Sequence, residues 1–103
     1  MSLTIQLKSL IQAHGEEVSQ LTLREPTTED IIDLGTPMLI VIGADGKSTG
    51  IEMRQPVIAA YISRLGAIPM SSVKSLKPRD FSAVSASVMS FFGDGEGGET
   101  KQV

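Results

Sequence analysis

The chain has 103 residues, which is the size of one ordinary domain, and its apolar share of 41% is typical of a folded globular protein. Because it has no cysteine and a single histidine, disulfides and thiolate chemistry are excluded and a zinc site would lack ligands. Nine basic residues scattered among twelve acidic ones, for a net charge of −3, provide no basic face for nucleic acid.

The first predicted element is an N-terminal β-hairpin. Apolar and polar residues alternate over residues 3–8, and the same pattern returns over residues 18–23. Between these strands, His14 and Gly15 are suited to the two positive-φ positions of a tight turn. We therefore assign the only histidine to a turn rather than to catalysis or metal binding.

The register of this hairpin requires an irregularity. With the turn at residues 14–15, Ile11 faces Val18, but an unbroken ladder would turn the other apolar residues of the second strand to the wrong face. One extra residue between Lys8 and Leu10 restores the pattern, so we predict a β-bulge there. The restored register has two apolar pairs, Leu7 with Leu21 and Ile5 with Leu23.

A short helix follows the hairpin. Pro26 ends the second strand because it has no N–H to donate to a ladder. Thr27 is placed to cap the helix and Asp30, three residues later, is placed to return a hydrogen bond, which is the capping-box pattern. Gly35 is typical of the residue that ends such a helix.

The next segment predicts a second hairpin. Residues 38–42 are a continuous apolar run typical of a strand, and Asp45-Gly46 marks a turn after which residues 51–53 return. Residues 43–48 end in Gly-Lys-Ser like a phosphate-binding loop, but the glycine spacing is wrong and no helix follows, so a turn is the better interpretation. The apolar run is also far shorter than the roughly 20 residues that cross a bilayer.

From Pro56 the apolar period becomes helical, and Gly66 is predicted to cap the end of this helix. Its apolar stripe consists of Val57, Ile58, Tyr61, Ile62 and Leu65. Pro69 cannot continue the helix, and Ser71 or Ser72 is then placed to cap a short helical turn.

Pro78 suits the first residue of the last helix. The apolar stripe of that helix consists of Phe81, Val84, Val88, Phe91 and Phe92. We predict one α+β domain over residues 1–93, with an N-terminal β-hairpin, a short helix, a second hairpin and C-terminal helices packed on the sheet. Residues 94–103, rich in glycine and acidic residues, are predicted to form a flexible tail.

No pattern in the sequence points to an enzyme. The serines have no neighbouring base that would activate a nucleophile. The acidic pairs are explained by solvated turns and by a helix N-terminus, and Asp94 with Glu96 lacks the ligand order of a calcium loop. We therefore predict no catalytic residue, no cofactor and no metal.

Several segments of the sequence are characteristic of a known protein family when they are taken together, although each alone is a weak signal. They are residues 18–27, Asp30, Leu34-Gly35, residues 58–65, Ala67-Ile68-Pro69, Ser72-Val73, Leu76, Asp80-Phe81 and Phe91-Phe92-Gly93. In this order, and over most of the chain, they resemble the Mu-like and P2-like phage tail assembly chaperone family. Residues 38–53 depart from the family's usual polar insert by being strongly apolar.

The resemblance implies a non-enzymatic protein of the bacterial host cytoplasm that is absent from the mature virion. Such a protein binds the long helical tape measure protein and helps tail tube subunits assemble around it. Related systems also make a longer product by ribosomal frameshifting, and a glycine-rich end is suited to join such an extension. Neither nucleic acid nor a membrane is expected as a partner, and formation of a homo-oligomer is left open.

We name two groups of candidate partner-binding residues. Arg24 and Asp30 lie at the corner between the second strand and the first helix, where a local ion pair is the favoured alternative. Met89, Phe91 and Phe92 lie on the last helix, where plain core packing is the favoured alternative. The rival functions are a structural tail component kept in the virion and, less favoured, a small hydrolase or transferase.

Overall fold

The computed structural model describes residues 2–93, so the predicted tail at residues 94–103 lies outside the described residues. The elements are β1 (Ser2–Ala13), β2 (Glu16–Arg24), α1 (Thr28–Leu34), β3 (Met38–Ile42), β4 (Thr49–Met53), α2 (Gln55–Gly66), α3 (Met70–Lys74) and α4 (Pro78–Gly93). Strands β1 and β2 form one antiparallel hairpin, and β3 and β4 form another. The predicted α+β fold, with its order of elements, is confirmed.

The core lies between one face of the β1–β2 hairpin and the helices α2, α3 and α4. The buried apolar residues are Ile11, Ala13, Leu21, Leu23, Ile58, Tyr61, Ile62, Leu65, Ile68, Val73, Leu76, Val84 and Val88. They include four of the five residues of the predicted α2 stripe, and the fifth, Val57, is half-buried. No helix within residues 2–93 has the length and apolar character needed to cross a bilayer.

The turn between β1 and β2 has the predicted geometry. His14 and Gly15 have positive φ angles of 55° and 78°, which gives the hairpin the twist that a two-residue loop requires. The His14 ring also has a contact that the sequence did not indicate, because its Nε2 lies 2.9 Å from the carbonyl oxygen of Ala67 and donates to it. The turn is thereby tied to the end of α2.

The irregularity in β1 is confirmed in place, but its predicted size and register are wrong. Ile11 faces Val18 as predicted, whereas Ile5 faces Leu21 and Leu3 faces Leu23. Residues 7–10 of β1 therefore lie opposite Ser19 alone, so three extra residues are accommodated instead of one. Because the register differs from the predicted one by two residues, the same side chains still point to the core.

The carboxylate of Asp80 in α4 explains the larger irregularity. It accepts the backbone N–H of Lys8 at 2.9 Å and 3.1 Å, and that of Ser9 at 3.0 Å. These two residues therefore leave the β ladder without losing their hydrogen bonds. Asp80 is 3% exposed, so α4 and β1 are joined by a buried polar contact.

The capping box of α1 is confirmed. The Thr27 hydroxyl accepts from the Asp30 N–H, and the Asp30 carboxylate accepts from the Thr27 N–H at 2.8 Å. Gly35 is the C-cap with a φ of 82°, as predicted. This short helix is therefore fixed at both ends by local sequence.

Two predictions about helix ends are wrong. The left-handed C-cap of α2 is Ala67, at φ 56°, and not Gly66. A Cβ on Gly66 would lie 3.3 Å from Leu23 Cδ2, so this glycine serves the close packing of α2 on β2. Neither serine caps α3, because the N-cap is Pro69 and the buried Ser72 hydroxyl donates instead to the carbonyl of Gln12.

Helix α4 begins at Pro78 as predicted and presents its apolar stripe to the core. Val84 and Val88 are fully buried, whereas Phe81, Phe91 and Phe92 are half-buried and pack at the margin of the core. The two ends of the stripe therefore keep part of their apolar surface in contact with solvent.

Candidate functional site

The β3–β4 hairpin exposes an apolar surface. Residues directly opposite in an antiparallel pair project from the same face of the sheet. One face, here termed the hairpin face, consists of the pairs Met38–Met53, Ile40–Ile51 and Ile42–Thr49. Ile40, Ile51 and Ile42 are 50%, 64% and 67% exposed. Five of the six side chains on this face are apolar, and none is charged.

The opposite face of this hairpin is also solvent-exposed. It carries Leu39 and Val41, which are 42% and 46% exposed, together with Glu52 and Gly50. A continuous apolar strand is usually covered on both sides. Within residues 2–93, however, β3 packs extensively only against β4. The hairpin therefore presents uncovered apolar surface that the rest of the described chain does not bury.

The hairpin face continues into a cavity at the base of the hairpin. This cavity has a volume of about 400 Å³. It is lined by Thr36, Pro37, Met38, Leu39, Ile40, Ile51 and Phe92. The structure thus brings Phe92, one of the predicted partner-binding residues, next to the exposed strand β3.

A second cavity lies between the end of β4 and α4. Its volume is about 540 Å³. It is lined by Met53, Gln55, Pro78, Phe81, Ser82, Ser85, Ala86 and Met89. Met89, another predicted partner-binding residue, therefore shares a cavity with Met53 of the hairpin face. We use the term hairpin surface for the hairpin face together with Met89 and Phe92.

The aromatic residues at the end of α4 join the core to this surface. The Phe92 ring packs edge-on against the fully buried Tyr61 ring, with centroids 5.2 Å apart and an interplanar angle of 72°. Phe91 is half-buried against the core and lines neither of the two cavities. A role for Phe91 in partner binding stays a prediction.

Arg24 and Asp30 form a separate, local ion pair at the corner between β2 and α1. Arg24 Nη1 lies 2.7 Å from Asp30 Oδ2 and Nη2 lies 3.1 Å from Oδ1, which is a bidentate geometry. Arg64 of α2 lies 3.2 Å from the same carboxylate through its Nε. Asp30 is 2% exposed, and neither Asp30 nor Arg24 lines the two cavities.

The ion pair lowers the pKa of Asp30 and raises the pKa of Arg24, and both shifts favour the charged form. The hydrogen bonds from Arg24 hold the pKa of Asp30 well below its usual range, against the opposing effect of burial, and the Thr27 N–H acts in the same direction as Arg24. The hydrogen bond to Asp30 raises the pKa of Arg24. Both groups therefore stay charged at neutral pH, and the ion pair links the end of β2 to α1.

This shift predicts an acid dependence of stability. Because the pKa of Asp30 is lowered on folding, the stability that it contributes is present above its unfolded pKa of about 3.9 and is lost as pH falls below that value. We expect urea unfolding to show that the free energy of unfolding of the wild type declines between pH 6 and pH 3, and that this decline is clearly smaller in the Asp30→Asn variant. An equal decline in both proteins would contradict the assignment.

Within residues 2–93, no cluster of three or more histidine, aspartate or glutamate side chains could hold an ion. The hairpin face holds Ile40, Ile42 and Ile51, three of the exposed large apolar residues of the described chain, and no residue of this face is among the predicted partner-binding residues. Its signal was the uninterrupted run at residues 38–42, followed by apolar residues at 51 and 53.

Comparison with protein families assigns the chain to a family. Neither the curated proteins nor the solved structures contain a match to this chain. The family model described as "Phage tail assembly chaperone proteins, E, or 41 or 14" matches residues 4–93, which is most of the chain and all four helices. The chain with this exposed apolar surface therefore belongs to the family of phage tail assembly chaperones.

Proposed function

We propose that the chain binds the tape measure protein of its phage through the hairpin surface, and that it assists assembly of the tail tube around that protein without enzymatic activity. The observation that carries the proposal is the exposure of Ile40, Ile42 and Ile51 beside two cavities. Membership of a tail assembly chaperone family supports a partner among the phage tail proteins.

The chemistry of the hairpin surface suits an amphipathic helix. Such a helix places apolar side chains every three to four residues along one face, and these can enter apolar grooves. The cavity beside Phe92 and the cavity beside Met89 provide two such places at the base of the hairpin. Methionine is adaptable in shape, so Met38, Met53 and Met89 can fit differing helices. A long helical protein with many similar apolar stretches is the partner that this surface fits best.

Weak contacts in many copies are sufficient for this role. A tape measure helix must be covered before the tube closes and released when tube subunits take its place. Several modest apolar contacts along one partner give high total affinity through avidity, while each remains reversible. We therefore propose that this chain acts in the host cytoplasm, in multiple copies per tape measure protein, and leaves before the virion is complete.

A co-purification experiment tests the site. The tagged chain is expressed with its tape measure protein, and the Ile51→Ser/Met53→Ser double variant is compared with the wild type. The variant removes one side chain from each cavity, while both residues are exposed enough, at 64% and 42%, to leave the fold intact. Loss of about 2 to 3 kcal/mol of apolar contact is expected to weaken binding by roughly a hundred-fold.

The matched control is the Ile31→Ser/Ile32→Ser variant. These α1 residues are 40% and 75% exposed, so the control removes similar apolar surface from another place on the molecule. We expect it to retain the tape measure protein at wild-type levels. Equal loss of binding in the two variants would show that general surface hydrophobicity, and not the hairpin surface, is responsible.

The rival function, that of a structural tail component kept in the virion, is tested by counting copies of this chain in finished particles. A chaperone that departs is expected at trace level in quantitative mass spectrometry of purified virions. Stoichiometric amounts, comparable to those of the tube protein, would instead identify the chain as a structural component of the tail.

A further inference from the structure

The outer edge of β3 is unpaired in the described part of the chain. Strand β3 pairs with β4 alone. Just beyond the two ends of β3, the Arg54 N–H donates to the Pro37 carbonyl and the Gly43 N–H donates to the Ser48 carbonyl, both at 2.8 Å. Residues 37 and 43 therefore belong to hydrogen-bonded pairs with the β4 side. Hydrogen-bonded pairs alternate along an antiparallel ladder. Odd-numbered residues of β3 therefore direct their backbone groups toward β4. The N–H and C=O groups of Met38, Ile40 and Ile42 point outward from the hairpin.

The outer edge of β3 lacks the residues that usually protect a strand edge against pairing with another strand. Proteins protect free strand edges with charged residues, proline or bulges, and β3 has none of these over its five residues. The edge of β4 differs, because β4 contains Glu52 and Gly50. A two-stranded hairpin is marginally stable by itself, so an added strand along β3 would also stabilise it.

We propose that β3 pairs antiparallel with β3 of a second copy of this chain, about a twofold axis at Ile40. In this register the outward backbone groups of Ile40 meet those of its own counterpart, and Met38 meets Ile42. Each of these is a hydrogen-bonded pair, so roughly six backbone hydrogen bonds form. The facing side chains are apolar at every position, and no like charges meet despite the net charge of −3.

A second copy fits this edge because the segment is complementary to itself under a twofold rotation. The residues with outward backbone groups are Met38, Ile40 and Ile42, and each meets an apolar residue of the second copy. Both copies use the same patch, which defines an isologous interface. The antiparallel arrangement also places the two folded bodies at opposite ends of the new sheet. Strand β3 makes no extensive contact with an element other than β4 within residues 2–93, so the rest of the described chain does not cover the edge.

The pairing joins the hairpin faces of two copies into one wider apolar surface. The use of this surface to bind a helix rests on the proposed function, whereas the pairing itself does not. Strands in one hairpin are about 5 Å apart, whereas an α-helix with its side chains is about 10 Å wide. A four-stranded sheet extends about 15 Å from one outer strand to the other. Two hairpin faces joined edge to edge can therefore cover the width of one helix.

The interface is small, which fits reversible assembly. Pairing of a single five-residue strand buries less than the roughly 1,000 Å² of a stable dimer, so a concentration-dependent association is expected. On a tape measure protein carrying many copies, such pairing would link neighbouring chaperones and add avidity.

Single-cysteine variants test the geometry without interference, because the chain has no native cysteine. In the proposed dimer the two Ile40 Cα atoms are about 5.5 Å apart, within disulfide range, whereas the two Ile51 Cα atoms are about 15 Å apart. Mild oxidation of the purified full chain is expected to give covalent dimers for Ile40→Cys and none above background for Ile51→Cys. Equal cross-linking of the two variants, or none in either, would overturn the proposal.

Proline variants test the role of the backbone. Ile40→Pro removes an outward N–H that β4 does not use, and Ile51→Pro makes the same change on the outer edge of β4. Light scattering over a concentration series is expected to show loss of the dimer for Ile40→Pro alone. Retention of the dimer by Ile40→Pro, with circular dichroism unchanged, would contradict the edge pairing. Because no tape measure protein is present in either experiment, failure here is distinct from failure of the proposed function.

Discussion

Replacing Asp80 with alanine is expected to lower the free energy of unfolding by about 3 kcal/mol. The buried carboxylate accepts the N–H groups of Lys8 and Ser9 at 2.9 to 3.1 Å, and alanine would leave both donors without that acceptor. The three extra residues in β1 would lose their anchor on α4 at the same time. For a domain of this size the melting temperature should fall by roughly 12 to 20 °C.

Two control variants separate this hydrogen bonding from charge. Asp80→Asn keeps one acceptor oxygen and should lose about half as much stability. Asp33→Ala removes an aspartate that is 45% exposed and lies 2.9 Å from Arg64, so its cost should stay below about 1 kcal/mol. Urea unfolding of the three variants provides the measurement. If Asp80→Ala cost no more than Asp33→Ala, the proposed role of the carboxylate would be wrong.

Replacing Tyr61 with alanine is expected to cost about 4 kcal/mol, the largest effect that we predict for one substitution. The ring is fully buried and packs edge-on against Phe92. Its hydroxyl donates to the carbonyl of Gly35 at 2.6 Å, which ties α2 to the end of α1. Burial raises the pKa of this hydroxyl, so it remains a donor through the physiological range.

The Tyr61→Phe variant isolates the hydroxyl. It keeps the ring and its contact with Phe92 and should cost about 1 kcal/mol. Thermal unfolding followed by circular dichroism distinguishes the two variants. A similar loss in both would mean that the hydrogen bond, and not ring packing, dominates at this position.

The parts of the fold that depend on short-range sequence could be predicted. The His14-Gly15 turn, the Thr27–Asp30 capping box and the start of α4 at Pro78 each rest on residues within a few positions of one another. Local steric preference and local hydrogen bonding decide such features almost alone. Tertiary contacts did not need to be known.

The features that were predicted wrongly depend on residues far apart in the chain. The size of the β1 irregularity is set by Asp80, which lies more than 70 residues from Lys8. The sequence predicts a cap at Gly66 because glycine is usual at that position, but its close packing against Leu23 explains this glycine. Periodicity and turn chemistry contain no information on which distant side chain supplies a hydrogen bond or fills a space.

The candidate site could be predicted only in part. The sequence predicts Met89 and Phe92 as adaptable apolar residues for partner contact, and each lines a cavity beside the second hairpin. The exposure of Ile40 and Ile51 could not be foreseen, because a continuous apolar strand has the same pattern whether it is buried or uncovered. Arg24 and Asp30 form a local ion pair in the structure, and a partner role for them stays a prediction.

Hydrogen exchange of the chain, alone and bound to its tape measure protein, tests the central claim most directly. We predict slower exchange on binding in residues 38–53 and at the end of α4 around Met89 and Phe92, with little change at the corner of Arg24 and Asp30. Binding that leaves residues 38–53 unprotected, with protection confined to that corner or to the β1–β2 hairpin, would contradict the account.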